Sequence, residues 1–285
     1  MLNNLSLKDQ NFDCLSVGVL DFKNSKFKTF ETEPGLYFDL ASLTKPLTLF
    51  ATKYKNPTLW QKDYDLLLNH KAGLPAWGRL SKKNWREEIL SFSVKNSPTL
   101  YSDYGALRLM VELEKKSGKS LKELASFFWD EKLVFWKDLK NKKSPITGTR
   151  RGKPISGQVH DDNAYNIDEF CSHAGLFATI DGLSKSLLNL NDQTSFILKM
   201  KDKLKNSKER FCEGWDTPVG NSLAGEGYSP LTFGHLGFTG TSIWIDGEKE
   251  IGHIILTNAT KNYWYDREGL NKLRLELGEY LWKWI

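Results

Sequence analysis

Both ends of this chain read as antiparallel β-hairpins, and that pairing of ends limits the fold more than any other feature. "CLSVGVLDF" (14–22), the turn "KNS" and "KFKTFE" (26–31) form the first hairpin. "FTGTSIWID" (238–246), the turn "GEKE" and "IGHIILTNA" (251–259) form the second. "REGLNKLRLELGEYLWKWI" then sets Leu270, Leu273, Leu277, Leu281 and Trp284 at helical spacing, which predicts an amphipathic closing helix. The middle has helical patterns at "NWREEILSFSV", "GALRLMVELEKKSG", "LKELASFFWDEKL" and "DGLSKSLLNL", with two helices meeting at Ser117-Gly118. The simplest architecture is an α/β (α+β) fold: an antiparallel sheet built from both termini, with flanking helices and an inserted helical lobe. It predicts a single domain over 1–285, with a sheet lobe of about 1–40 plus 210–285 and a helical lobe of about 41–209. A site is expected in the cleft between the lobes.

The 285 residues suffice for a large core, and 40% hydrophobic with 26% charged residues is ordinary for a globular protein. The net charge of +5 is spread along the chain without a clustered basic face, so no nucleic-acid partner is expected. "KNKKS" (140–144) and "TRRGK" (149–153) read as solvated loops. Cys14, Cys171 and Cys212 share no C-x-x-C spacing, so neither a disulfide framework nor a zinc site is indicated, and no cofactor or metal is expected. The opening "MLNNLSLKDQNFD" lacks the features of a signal peptide, and no stretch approaches the apolar length of a membrane span. The expected setting is cytoplasmic.

One stretch carries chemistry. In "FDLASLTKPLTLF" (38–50), Ser42 and Lys45 are three residues apart, a spacing that puts both side chains on one helical face. A helix starting near Ser42 would set the serine at the positive end of its dipole, and Pro46 would fall where a missing N–H costs little. A desolvated lysine there is expected to have a lowered pKa and to act as a base. The tetrapeptide alone is weak: "SKFK" (25–28) also fits S-x-x-K but falls in the hairpin turn, and most such serines are caps or core residues. "TLYSDYGALRLM" (99–110) adds Tyr101 and Asp103 ahead of a helix, and "FGHLGFTGTSIWID" (233–246) adds His235 among glycines on a strand.

Taken in order, "SLTK" (42–45), "YSD" (101–103) and "HLG" (235–237) resemble the motifs of the penicillin-recognising serine hydrolases. The likeness is to the class C β-lactamase, D-Ala-D-Ala carboxypeptidase and esterase-like branch. It continues through "LLLNHKAGLP" (66–75), "VHDDNAY" (159–165), "HAGLFATIDGLSK" (173–185) and "ILTNA" (255–259), nearly the whole chain. The resemblance implies a β-lactamase/transpeptidase-like fold and a covalent acyl-enzyme on Ser42. It implies Lys45 as the hydrogen-bonded base and Tyr101 as the proton relay, as phenolate or as neutral phenol. Asp103 then contacts the substrate amide and Lys45. His235 and Gly237 border the cleft, and the N–H groups of Ser42 and Phe238 form the oxyanion hole. The implied substrate is a small molecule or peptide: a cell-wall fragment, a D-amino-acid amide, an ester or a β-lactam.

The chain departs from the family pattern in three places. The third motif has His235 where members that bind a free carboxylate usually have lysine, which turns attention to Arg150 or Arg151 for that role. Ser102-Asp103 also fits the S-D-N motif of class A β-lactamases, although the class A segment bearing the deacylating glutamate is missing. The run from "SLTK" to "LLLNHKAGLP" is short for the family, which predicts a trimmed helical lobe and an open cleft suited to a polymer or peptide. The opposing reading is a penicillin-binding-like protein that has lost turnover and serves as a binding or regulatory module. His160 and His173, taken singly, read as satisfied loop or core histidines, while Trp77, Gly78, Arg79 and Tyr228 are candidates for a pocket lip.

Overall fold

The structure is a computed structural model and describes residues 12–219, 222–263 and 266–284. Its main sheet has seven strands, every neighbouring pair antiparallel. From one edge the order is Lys26–Glu31, Leu15–Asp21, Ile251–Thr257, Ser242–Asp246, Thr232–Leu236, Trp215–Asp216 and Phe211–Cys212. The two expected hairpins therefore join at the middle of the sheet. Leu15 pairs with Thr257 and Asp21 with Ile251, so residues from opposite ends of the sequence share one ladder.

The pattern of side chains explains the placement. Ile251–Thr257 is buried along its whole length, as expected of a strand covered on both faces. On one face the closing helix Glu268–Trp284 lays Leu273, Leu277 and Leu281 against Leu15, Val17 and Ile255. On the other face Ile180–Thr194 brings Leu183, Leu187 and Leu190 into the largest core cluster. The Trp284 side chain, which completes the helical spacing, lies outside the described residues.

A second cluster forms the helical lobe around Asp103–Ser117, whose Leu107, Leu109, Met110 and Leu113 are fully buried. Ser102 caps this helix by accepting from the Gly105 N–H, and Gly118, in the left-handed conformation, ends it. Ser120 and Glu123 form a capping box that opens the next helix. That helix is shorter than the pattern predicts. It stops at Ala125, and "SFFWDEKL" turns instead into a 3-10 turn and the strand Leu133–Phe135, which pairs with Leu176–Ala178. Among the described residues no helix is long and apolar enough to cross a membrane.

Candidate active site

The segment before Ser42 is held in an uncommon shape. Asp39, at the end of the short strand Phe38–Asp39, accepts the Ala41 N–H at 2.8 Å and the His160 N–H at 2.6 Å. Ala41 has φ of +47°, a strained value for a residue with a side chain. From the sheet lobe, the Thr239 and Thr241 hydroxyls donate to the Asp39 and Leu40 carbonyls. Ser42 is thus fixed by bonds from three separate parts of the chain.

From Ala41 the chain is helical to Lys55, beginning with a 3-10 turn at Ala41–Leu43 and widening into π turns at Pro46–Phe50. The expected start near Ser42 and the early Pro46 are both found, and the π turns directly follow Lys45. The helix ends at Lys55, and Pro57–Leu59 leads directly into Tyr64–Leu68, a short passage as the sequence implied.

Lys45 is 3% exposed. Its Nζ donates to Ser42 Oγ at 2.9 Å and to the His173 carbonyl at 3.3 Å, and lies 2.7 Å from Asp103 Oδ1. Tyr101 is within hydrogen-bonding range of both Lys45 and Ser42. The "YSD" motif is split by the start of the long helix: Tyr101 and Asp103 face the pair, while Ser102 turns away to cap. Ser102 also donates to the Pro75 carbonyl at 2.6 Å, which leaves it no part in a class A type arrangement.

The lowered lysine pKa expected from the sequence is not found. Burial opposes the charge, but the adjacent Asp103 carboxylate, with the Tyr101 oxygen, outweighs it and holds the Lys45 ammonium above its ordinary range. Tyr101 is shifted upward too: burial and the Asp103 charge favour the neutral phenol, against the pull of Lys45. The resting site is therefore an ammonium paired with a carboxylate beside a neutral phenol.

His235 lies on Thr232–Leu236 with its ring centroid 6.0 Å from that of Tyr101. Its Nδ1 lies 2.9 Å from the Leu236 carbonyl, so the proton belongs on Nδ1 and the buried Nε2 presents a lone pair. Burial, reinforced by Lys45, lowers its pKa to about 3, so it supplies no positive charge at neutral pH. Gly237 ends the strand in a tight reversal, its N–H donating to the Thr241 carbonyl at 2.8 Å. A Cβ there would meet Thr241 Oγ1 at 1.9 Å and the Leu40 carbonyl at 2.7 Å, so only glycine fits. Phe238, next in the chain, is 37% exposed and stacks under Arg267 at 4.2 Å.

Several participants escaped the sequence reading as single residues. His70 packs on Tyr101, with ring centroids 4.4 Å apart. Asp161 bonds His173 Nε2 at 2.9 Å and also caps Asp162–Ile167, placing a paired carboxylate behind the carbonyl that holds Lys45. Arg274, buried on the closing helix, donates to the Gly237 and Thr241 carbonyls, and burial lowers its pKa to about 9. Arg150, by contrast, is committed to Asp162 and to the Val159 and His160 carbonyls, and Arg151 turns the Gly148–Ile155 hairpin with φ of +53°. His70, Asp161 and His173 all fall inside stretches that resemble the family, which was the available signal. Among the described residues no cluster of His, Cys, Asp and Glu is disposed to hold a metal ion.

The fold and the grouping of Ser42, Lys45, Tyr101 and Asp103 beside the antiparallel sheet point to the serine-hydrolase class. The sequence profile of the Beta-lactamase family matches residues 65–277, and the chain belongs to that family. The matched span holds Tyr101, Asp103 and His235, while Ser42 and Lys45 precede it. A putative D-alanyl-D-alanine carboxypeptidase of Escherichia coli O157:H7 is 34% identical over 119 residues, covering 36% of this chain and 26% of its own. An N-acetylmuramyl-L-alanine amidase of Bacillus subtilis is 31% identical over 121 residues, covering 38% and 27%. The match thus spans about a quarter of the length of these curated relatives. Among solved structures, a class C β-lactamase from Rhodobacter sphaeroides has a TM-score of 0.66 at 13% identity, with 97% of each chain covered. A β-lactamase/D-alanine carboxypeptidase from Pseudomonas syringae has a TM-score of 0.66 at 13% identity, with 96% of each covered. These two likenesses are of fold.

Proposed function

We propose that this protein is a serine hydrolase that cleaves an amide in a peptidoglycan-type peptide through a covalent acyl-enzyme on Ser42. The contact that carries the reading is Lys45 Nζ, which touches Ser42 Oγ at 2.9 Å and Asp103 Oδ1 at 2.7 Å in one buried site. The names of the two curated relatives, a putative D-alanyl-D-alanine carboxypeptidase and an N-acetylmuramyl-L-alanine amidase, support the substrate class. D-amino-acid amides, esters and β-lactams share the required carbonyl and serve as surrogates. The reading treats the sheet lobe (about 1–40 and 210–285) and the helical lobe (about 41–209) as one domain around the site.

The direction of the two pKa shifts favours a neutral relay. Ser42 Oγ attacks the carbonyl carbon and forms the O–C bond while its proton passes to the Tyr101 oxygen. Tyr101 passes its own proton to the leaving nitrogen, and the C–N bond breaks. Lys45 stays an ammonium and stabilises negative charge as it develops on either oxygen. The N–H groups of Ser42 and Phe238 are the proposed donors to the carbonyl oxygen, and loss of one such donor typically costs about 100- to 1,000-fold in rate. Water then repeats the sequence in reverse to release the acid. Asp103 orients Lys45 and the substrate amide, and His235 offers its Nε2 lone pair to a substrate donor.

The test is intact-protein mass after exposure to penicillins, activated esters and D-alanyl peptides, on wild type and Ser42→Ala. An adduct on wild type alone is expected. Hydrolysis by Ser42→Ala at the wild-type rate would refute the assignment, and a wild type that binds these ligands without any adduct would favour the binding-module reading.

A further inference from the structure

We propose that His70 is the positioning residue for Tyr101, fixing where the phenol stands against Ser42 and Lys45; the inference rests on the hydrolase reading above. His70 grips the backbone on both sides of the tyrosine. Its carbonyl accepts the Leu100 N–H at 2.9 Å, and its Nδ1 accepts the Ser102 N–H at 3.1 Å. Both neighbours of Tyr101 are therefore tied to one residue, which leaves the intervening side chain little freedom of direction.

The grip continues down the chain. The Ser97 N–H donates to the Lys71 carbonyl at 2.9 Å and the Lys95 N–H to the Ala72 carbonyl at 3.2 Å, so residues 95–102 dock along 70–72. The side chains repeat it: the Phe211 ring centroid lies 4.7 Å from that of His70, edge to face, and 5.8 Å from that of Tyr101, closing an aromatic cluster. His70 itself has φ of +58° and is 4% exposed. The left-handed turn falls just past the end of the helix Tyr64–Leu68, a usual place for it, and it sets one ring edge against the Ser102 N–H and the ring tilted by 41° against the phenol.

The tautomer follows from the contacts. Nδ1 accepts, so the ring proton is on Nε2 and the imidazole is neutral. Burial, with Lys45 and His235 nearby, keeps its pKa well below the ordinary value, while the bond from Ser102 and the more distant Arg210 are lesser influences. Protonation at Nδ1 would cancel the acceptor and place a second cation beside Lys45.

Two variants separate the parts. His70→Asn keeps an acceptor near Nδ1 and tolerates positive φ; His70→Phe keeps the ring and leaves the Ser102 N–H unpaired. The readouts are the acylation rate and the half-saturating concentration for an activated ester. A parallel readout is the imidazole tautomer by nitrogen NMR of histidine-labelled wild type between pH 8 and 5, with the His70 signals assigned by their loss in the Asn variant. We expect His70→Phe to lower the maximal acylation rate by about 10- to 100-fold with half-saturation within about twofold, as for a displaced reacting group. His70→Asn should recover most of that loss, and the wild-type imidazole should hold the Nε2–H tautomer throughout. Wild-type acylation rates in both variants, or an Nδ1–H tautomer, would overturn the inference. If wild type takes up no acyl group, the hydrolase reading falls, and the tautomer alone decides the placement of His70.

Discussion

Replacing one member of the Lys45–Asp103 pair should cost far more stability than replacing both. At 2.7 Å and an effective dielectric near 20, the attraction is about 6 kcal/mol, comparable to the cost of removing two ions from water, so the intact pair contributes little net stability. Asp103→Ala leaves a buried ammonium with only uncharged partners, the Ser42 hydroxyl, the Tyr101 phenol and the His173 carbonyl, and should destabilise by about 3 kcal/mol. Lys45→Met removes the charge and keeps an apolar stem of similar length, but strands Asp103, whose side chain is 17% exposed and partly served by water. It should cost about 1 to 2 kcal/mol. In the double variant no buried charge is left unpaired, so stability should return to within about 1 kcal/mol of wild type and the coupling should be about 3 to 5 kcal/mol. The assay is urea unfolding of all four proteins at pH 7.5, followed by circular dichroism. The sign against pH is fixed as well: Lys45 has its pKa raised in the fold, so its share is complete below about pH 10.4 and fades as pH rises further. A coupling under about 0.5 kcal/mol would refute the buried pair and with it the account of the cationic lysine.

Gly237→Ala should lower stability by about 1 to 3 kcal/mol and slow acylation, because its methyl has no room beside Thr241 and Leu40; unchanged thermal unfolding would contradict the tight reversal. Asp39→Ala should cost about 2 to 4 kcal/mol by leaving the buried Ala41 and His160 N–H groups unpaired, and should slow Ser42 acylation, both checked on one preparation. Acid should unfold the protein steeply. Burial lowers His70 well below its ordinary value, His160 and His253 to about 4 and His235 to about 3, so their contributions are present above about pH 6.5 and lost as pH falls. Asp39, raised by burial to about 7, opposes with one proton, leaving a loss of about 3 to 4 kcal/mol per pH unit between pH 6 and 5; flat stability over that range would refute it.

The sheet was legible because its signals are local. "VGVLD" and "IGHIILT" are β-branched or aliphatic runs ended by turn residues, and nothing in the interior competes for those strands. The control sequence "SKFK" also behaved as read, with Ser25 at φ of +51° in the hairpin turn. "LKELASFFWDEKL" misled because its helical spacing is real as far as Ala125. Beyond that, pairing of Leu133–Phe135 with Leu176–Ala178 and packing of Phe128 in the main core overrode local preference. Phe196–Lys205 carries no start signal in the sequence, because Ser195, at φ of +50°, precedes it without a side-chain cap. In the site, Ser42, Lys45, Tyr101 and Asp103 were visible through order and spacing. Asp39 and His70 were not, because their importance comes from backbone N–H groups distant in sequence, which no spacing encodes.

The raised lysine, the neutral phenol and the neutral imidazoles belong to one electrostatic solution. Lys45 is the cation that touches Ser42, and burial, reinforced by its field, holds both His70 and His235 neutral. Protonating either would add like charge in a poorly solvated space, while discharging Lys45 would leave Asp103 without its partner. A reaction that first built a free phenolate or a free amine would pass through such a state. A proton moved from Ser42 through Tyr101 to the leaving nitrogen changes no side chain's net charge between start and acyl-enzyme. The new charge then falls on the carbonyl oxygen, where the Ser42 and Phe238 N–H groups are proposed to meet it, and on the serine and phenol oxygens that Lys45 already holds. In the proposed mechanism the Lys45–Asp103 pair acts as a fixed dipole, set by burial, against which the neutral relay runs.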